Sequence, residues 1–291
     1  MSGKHIGAEA VAAKGWLRAY KWLILRRLSQ FGILALFLLG PLAGIWIVKG
    51  NLNYSYTLNF LPLTDPYVAL QAAMTRHVPE KLGLIGLAIV LVFYFLVGGR
   101  VYCSWVCPVN LVTDAAGWLR DRLGIKGSAQ LSRNTRYWVL AMTLIGSAAT
   151  GVVLWELINP VSMLHRGLIF GLGAAWTVVV AIFLFDLFVT KRGWCGRLCP
   201  VGAFYSLLGR WSPVRVAARE RTACNDCMDC FEVCPEPQVI RPALKGEGKG
   251  VGPVILAANC TNCGRCIDVC SKEVFTFSLR FNNPASTART D

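Results

Sequence analysis

A bundle of four membrane-spanning helices followed by a small α+β domain is the architecture this sequence predicts. Three observations predict it: a composition too apolar for an ordinary soluble protein, four apolar stretches of spanning length, and twelve cysteines gathered into tight groups. Of 291 residues, 55% are hydrophobic and 16% charged, and the mean hydropathy is +0.49, which places the chain in the membrane class. The cysteines at 103, 107, 195, 199, 224, 227, 230, 234, 260, 263, 266 and 270 form two C-x3-C pairs and two C-x2-C-x2-C-x3-C runs. Disulfide scaffolds spread their cysteines through loops, whereas gaps of two and three residues surround a metal centre. Reduced thiols on the cytoplasmic side are therefore expected. The formal charge of +14 comes with no RNA-binding signature and no zinc-finger spacing, so nucleic acid is excluded as a partner.

Residues 1–27 are expected to form a cytoplasmic amphipathic segment. Its stretch EAVAAKGWLRAYKWLILRR carries Trp16, Tyr20 and Trp22 for the interface and lies on the inner membrane surface. Residues 28–215 form the transmembrane domain, with helices at about 28–48, 82–98, 137–158 and 167–190. Each is long enough to cross roughly 30 Å of hydrocarbon at about 1.5 Å per residue. Each must be helical, because hydrocarbon offers backbone amides no other partner. Gly40-Pro41 is expected to bend the first span, which reads as an uncleaved signal anchor.

Lys and Arg set the orientation. Segment 1–27 holds six, loop 49–81 three, loop 99–136 six, loop 159–166 only Arg166, and the tail 191–291 fourteen. Both termini and the cysteine-rich tail then face the cytoplasm. A repeat runs through this region: YCSWVCPVN from Tyr102 recurs as WCGRLCPVG from Trp194, 92 residues later. Each copy follows a span ending on the inner side, so the domain reads as a duplicated two-helix unit.

The tail, residues 216–291, carries the strongest motif. A cubane needs four thiolates; in these runs three come from one loop, while the fourth, on the following turn, points at the neighbouring cluster. The ligand sets cross: Cys224, Cys227, Cys230 and Cys270 for cluster one, and Cys260, Cys263, Cys266 and Cys234 for cluster two. This predicts a bacterial-type 2[4Fe–4S] ferredoxin-like α+β domain. Zinc sites place two cysteine pairs across a longer loop instead. Pro235 follows the first run, and Ser271 stands in the equivalent place after the second.

The C-x3-C-P pairs leave three readings open. On a helix, positions four apart share a face, so Cys103, Cys107, Cys195 and Cys199 could form a third metal or iron–sulfur centre, redox-active thiols, or buried structural cysteines. Arg100, Arg192 and Arg197 beside them favour thiolates. Ionisable groups near membrane level are functional suspects, and Glu156, His165 and Asp186 are the weak candidates for handling protons released from a quinol. No nucleotide, protease or haem motif is present in the sequence.

RRLSQF, GNLNYSYTLNFLPLTDP, CSWVCPVN, AATGVVLWELINPVSM, GWCGRLCPVGAFYSLLG, CNDCMDCFEVCPEP and CTNCGRCIDVCSKEVFTF together resemble the NapH/MauN family over nearly the whole chain. NapH is the membrane ferredoxin-type quinol dehydrogenase subunit of periplasmic nitrate reductase systems. The resemblance implies an inner-membrane oxidoreductase subunit that takes electrons from menaquinol or ubiquinol and acts with a partner. That partner would be a periplasmic iron–sulfur protein, NapG-like, which passes electrons to nitrate reductase directly or through a cytochrome c. MauN, of methylamine utilisation, shares the pattern. The competing class is a membrane ferredoxin-type metal reductase or assembly factor; relatives of that class carry a further C-terminal domain.

Overall fold

The computed structural model describes residues 6–77, 80–125, 127–171, 173 and 175–282. Lys4, counted above among the N-terminal cations, lies outside them. The chain divides into two compact units, neither continuous in sequence: Met1–Ser29 with Tyr94–Trp105 and Ser206–Asp291, and Gln30–Phe93 with Val106–Tyr205.

The first unit is built on a two-stranded antiparallel sheet, Val214–Ala218 against Phe275–Leu279, with Val214 opposite Leu279 and Ala218 opposite Phe275. Along Phe275–Leu279 the buried residues are Phe275 and Ser278, three apart, so both faces of the strand are partly covered. Short helices follow each cysteine run, Asp229–Val233 and Arg265–Asp268, and pack on one another. Val216, Ala218, Val239, Ile240, Leu244 and Phe275 close the core around Cys230 and Cys266. This is the small α+β ferredoxin-like tail.

The N-terminal segment packs on this tail and breaks at Gly15 into helices Ala8–Lys14 and Trp16–Ala19. Gly7 N donates to Asp229 Oδ2 (2.9 Å) and Lys14 Nζ to Ile267 O (2.7 Å). Trp16 and Leu17 stay exposed. The long helix Lys21–Ala43 begins here, and its first amides find an acceptor far away in sequence. Trp22 N and Leu23 N donate to the carboxylate of Asp268 at 3.0 and 2.8 Å, an acid placed where the orphan amides and the helix dipole favour one.

The second unit is mostly helical. Lys81–Val97 begins in it, and Val109–Arg122, Thr135–Thr150, Pro160–Phe170 and Ala175–Leu184 lie wholly within it. The expected loop 49–81 carries a three-stranded antiparallel sheet, Val48–Gly50, Tyr54–Thr57 and Leu61–Thr64, then helix Pro66–Met74. Asp65 starts that helix: Oδ1 accepts from Tyr67 N and Val68 N, and Oδ2 accepts from the Tyr205 hydroxyl at 3.1 Å.

Helix lengths differ from the expected spans. Among the described residues one helix, Lys21–Ala43 at 23 residues, is long and apolar enough to cross a membrane. It ends before residue 48, because Val48 already belongs to the sheet. Lys81–Val97 has 17 residues, and Thr135–Thr150 has 16, stopped by Gly151 at φ 71°. The fourth stretch is interrupted at Gly171 and resumes as Ala175–Leu184, which ends in a π-helical turn, Phe185–Val189. Trp138, Met142 and Ile145, spaced four and three apart on Thr135–Thr150, form an exposed apolar stripe.

Candidate functional site

The two cysteine runs fold by the same local rule. Two residues after the first cysteine of each run, Asp226 (φ 57°) and Asn262 (φ 46°) are left-handed; two further on, so are Met228 (φ 66°) and Gly264 (φ 72°). Such reversals turn the loop around a concavity and aim successive amides at its centre, the backbone arrangement that suits anionic clusters. Each run then enters its short helix, and the fourth cysteine follows that helix, Cys234 with extended backbone at its end.

Two recesses result, each enclosing about 350 Å³ of atom-free space that is partly open to solvent. Cys224, Cys227, Cys230 and Cys270 line the first, with Phe231 and Leu244 among its apolar walls. Cys260, Cys263, Cys266 and Cys234 line the second, beside Glu236 and Arg265. Each recess thus draws three thiols from one run and the last from the other. None of the twelve cysteines is in a disulfide.

Electrostatics make these donors costly to ionise without a cation. Burial, then the neighbouring Cys227, Cys270 and Cys224, push the Cys230 thiol up to about 12. Burial takes Cys260 to about 11, and burial followed by Cys263, Cys234 and Cys260 raises Cys266 well above the ordinary thiol range. Burial acts most strongly on Cys263 and raises it, but the fields of Arg26 and Arg265, together with hydrogen bonds from Thr261 and the Arg265 amide, leave that thiol below its ordinary value. Four sulfurs that oppose one another's ionisation suit a centre carrying several positive charges. Among the described residues, no three His, Cys, Asp or Glu side chains converge so as to hold a single metal ion. A cubane spreads its four thiolate ligands over its corners. The donor set fits an iron–sulfur cluster.

The C-x3-C pairs do not sit on regular α-helix. The first cysteine of each lies in a π-helical turn, Tyr102–Val106 or Trp194–Leu198, and the second falls just past it. Cys199 N donates to Trp194 O at 2.9 Å, five residues back. Proline then opens the next segment, at Pro108 and Pro200. Cys103 belongs to the first unit, and Cys107, Cys195 and Cys199 to the second. Buried Gln30 donates to Cys107 O (3.4 Å), and the Cys195 thiol approaches Thr113 Oγ1 (3.9 Å). Arg100 lies beside the second recess, ion-paired with Glu236, and Arg192 pairs with Asp114 at 3.6 Å.

The three proton-handling candidates occupy separate places. Asp186 is fully buried and its Oδ1 accepts from Trp194 N at 2.9 Å, so it holds the π-turn that carries Cys195. Glu156 accepts from Asn53 Nδ2 (2.7 Å) and Asn159 Nδ2 (3.0 Å), with Arg166 3.8 Å away. His165 is buried, edge-on to Phe37 at 5.9 Å. Sequence reasoning missed the buried arginines around the second recess, Arg26 and Arg215. Both read as topogenic charges, and no local pattern distinguishes a buried arginine from an exposed one.

Comparison with known proteins gives the class first: a ferredoxin-type protein with 4Fe–4S binding domains. A "4Fe-4S dicluster domain" matches residues 223–274, covering both runs. A "4Fe-4S binding domain" matches twice, at 81–126 and 172–217, once around each C-x3-C-P pair, and so repeats the internal duplication. The chain is 56% identical over 273 residues to the methylamine utilization ferredoxin-type protein MauN of Methylorubrum extorquens, covering 94% of each chain. It is 48% identical to the ferredoxin-type protein NapH of Haemophilus influenzae (96% of this chain, 97% of the relative) and 47% identical to that of Escherichia coli (98% of each). No solved structure matches. The chain belongs to the NapH/MauN family of ferredoxin-type proteins, and its chemistry is iron–sulfur electron transfer.

Proposed function

We propose that the chain is the membrane-integral electron-transfer subunit of a quinol dehydrogenase, with four spans, both termini and the ferredoxin tail in the cytoplasm, and a [4Fe–4S] cluster in each recess. The crossed set of four thiols at each of two recesses carries this reading. Cys224, Cys227, Cys230 and Cys270 hold the first cluster, and Cys260, Cys263, Cys266 and Cys234 the second; each, when bound, accepts and returns one electron. The membrane assignment draws on the apolar stripe of Trp138, Met142 and Ile145, an outward face that is stable against lipid and costly against water.

The electron source follows from the resemblance: menaquinol or ubiquinol gives up two electrons and two protons to become the quinone. The electrons leave one at a time for a periplasmic iron–sulfur partner, NapG-like, and then nitrate reductase. Glu156, held by Asn53 and Asn159 near the ion pair with Arg166, is the carboxylate best equipped to take a proton, because its partners leave it a route to solvent. Two of the MauN-named relatives, at 56 and 53% identity against 48 and 47% for those named NapH, favour a second reading: the same iron–sulfur electron transfer serving methylamine utilization. Anaerobic membranes containing the chain are expected to lose their iron–sulfur absorbance when a reduced quinol analogue is added. Clusters that are present yet untouched by any quinol would overturn the quinol role, as expected of a metal reductase or assembly factor.

A further inference from the structure

The two recesses share a donor set and differ in what surrounds it. Around the second, arginines from four separate segments close in. Arg265 lines the recess itself. Arg100, 2% exposed, donates Nη1 to Asn259 O at 2.9 Å, one residue before Cys260, and pairs with Glu236, 4% exposed. Arg215, 2% exposed, reaches Ala257 O at 3.3 Å. Arg26 is fully buried, and its field reaches Cys263. Two acids face these cations: Glu236, and Asp268 in the field of Arg26.

Around the first recess the cations are lysines at the rim. Lys245 is half-exposed and already paired with exposed Asp226, which lines the recess. Lys14, half-buried, donates to Ile267 O at 2.7 Å and feels the fields of Cys270, Asp268 and Glu273. Exposed charges are screened by water and salt, and buried ones are not.

We propose that Arg26, Arg100, Arg215 and Arg265 give the second recess the higher one-electron reduction potential, so that a singly reduced chain keeps its electron between Cys234, Cys260, Cys263 and Cys266. The inference rests on the reading that each recess holds a cubane. Reduction adds one negative charge and breaks no bond, so a standing positive field favours it. Burial by itself disfavours the added charge. The arginines, however, share the low dielectric of the sulfurs, which strengthens each attraction as it weakens solvation. The second recess also lies against the first C-x3-C turn within the same unit: Ser104 Oγ donates to Thr261 O at 2.8 Å and Trp105 Nε1 to Asn262 O at 3.2 Å. An electron held there rests next to Cys103.

The test is a potentiometric titration of the purified full-length protein with dithionite, followed by EPR. Two one-electron waves are expected, and Cys266→Ser removes the higher while Cys230→Ser removes the lower. Arg26→Gln and Arg215→Gln are each expected to lower the higher wave by about tenfold in the equilibrium constant, about 59 mV for one electron, with the lower wave unmoved and Arg26→Lys restoring the shift. A purely structural role would lower iron content without moving a potential. Coincident waves in the wild type, loss of the higher wave in Cys230→Ser, or movement of the lower wave in the arginine variants each overturn the proposal. Should the glutamine variants fail to retain iron, the wave assignment by the two serine variants decides alone. A wild-type protein without acid-labile sulfide would instead sink the cluster reading itself.

Discussion

The C-x2-C-x2-C-x3-C runs and the C-x3-C-P pairs use the same side chain and are organised in opposite ways. In the runs, the local sequence does most of the work: left-handed residues at matching positions, a short helix, and a fourth cysteine beyond it. Three of the four thiols of each recess are therefore written into seven consecutive residues, 224–230 and 260–266, and the other run supplies the fourth. In the pairs, the first cysteine lies in a π-turn and the second just past it, and the support comes from groups outside the motif, Asp186 for the turn that carries Cys195 and Gln30 for Cys107. A motif that carries its own turn chemistry can be read from sequence, and a motif that depends on packing cannot.

The largest effect expected from this contrast is on iron removal. Anaerobic chelation and oxidation should open the first unit, because its core includes Cys230 and Cys266 and binding free energy at such sites is folding free energy. Hydrogen exchange should then rise across Val214–Ala218 and Phe275–Leu279, while Thr135–Thr150 keeps its protection. Equal protection loss in both regions would remove the distinction.

The fifth position of each run sharpens the comparison further. Gly264 is left-handed, and a Cβ there would lie 2.6 Å from Trp22 Cγ. Gly264→Ala should therefore cost about 1–3 kcal/mol, read as a lowered thermal midpoint in detergent together with altered Trp22 fluorescence. Met228 holds the same conformation at φ 66° with a side chain in place, so Met228→Gly should leave stability unchanged or raise it by up to about 1 kcal/mol. A smaller effect belongs to Asp268→Asn. Losing the charge at the first turn of Lys21–Ala43, while one amide oxygen still accepts, should cost about 0.5–1 kcal/mol and increase exchange at Trp22 and Leu23.

The same logic explains what the sequence revealed. Both runs, the helical character, the ferredoxin-type tail and the family were legible, because spacing and apolar length are local properties. The start of the first long helix was not: its cap, Asp268, lies 246 residues from Trp22. The break at Gly171 hid inside an unbroken apolar stretch, and the sheet at Val48–Thr64 lay in what read as a plain loop. The N-terminal segment read as a membrane-surface helix from its aromatic and basic residues, a pattern that carried no sign of its contacts with the tail through Gly7 and Lys14. Arg26 and Arg215 looked like orientation signals and Arg100 like a neighbour of the first C-x3-C pair, and only the fold turns them toward the second recess.

The crossed pairing of the runs is tested most directly by counting iron and acid-labile sulfide in paired variants of the anaerobically purified full chain. Cys224 and Cys270 share a recess, so Cys224→Ser with Cys270→Ser should lose about four irons and four sulfides, no more than either change alone. Cys224→Ser with Cys234→Ser strikes both recesses and should lose about eight of each. The reverse pattern, in which Cys224 and Cys234 count as one centre, would contradict the account, as would zinc in place of iron at either recess.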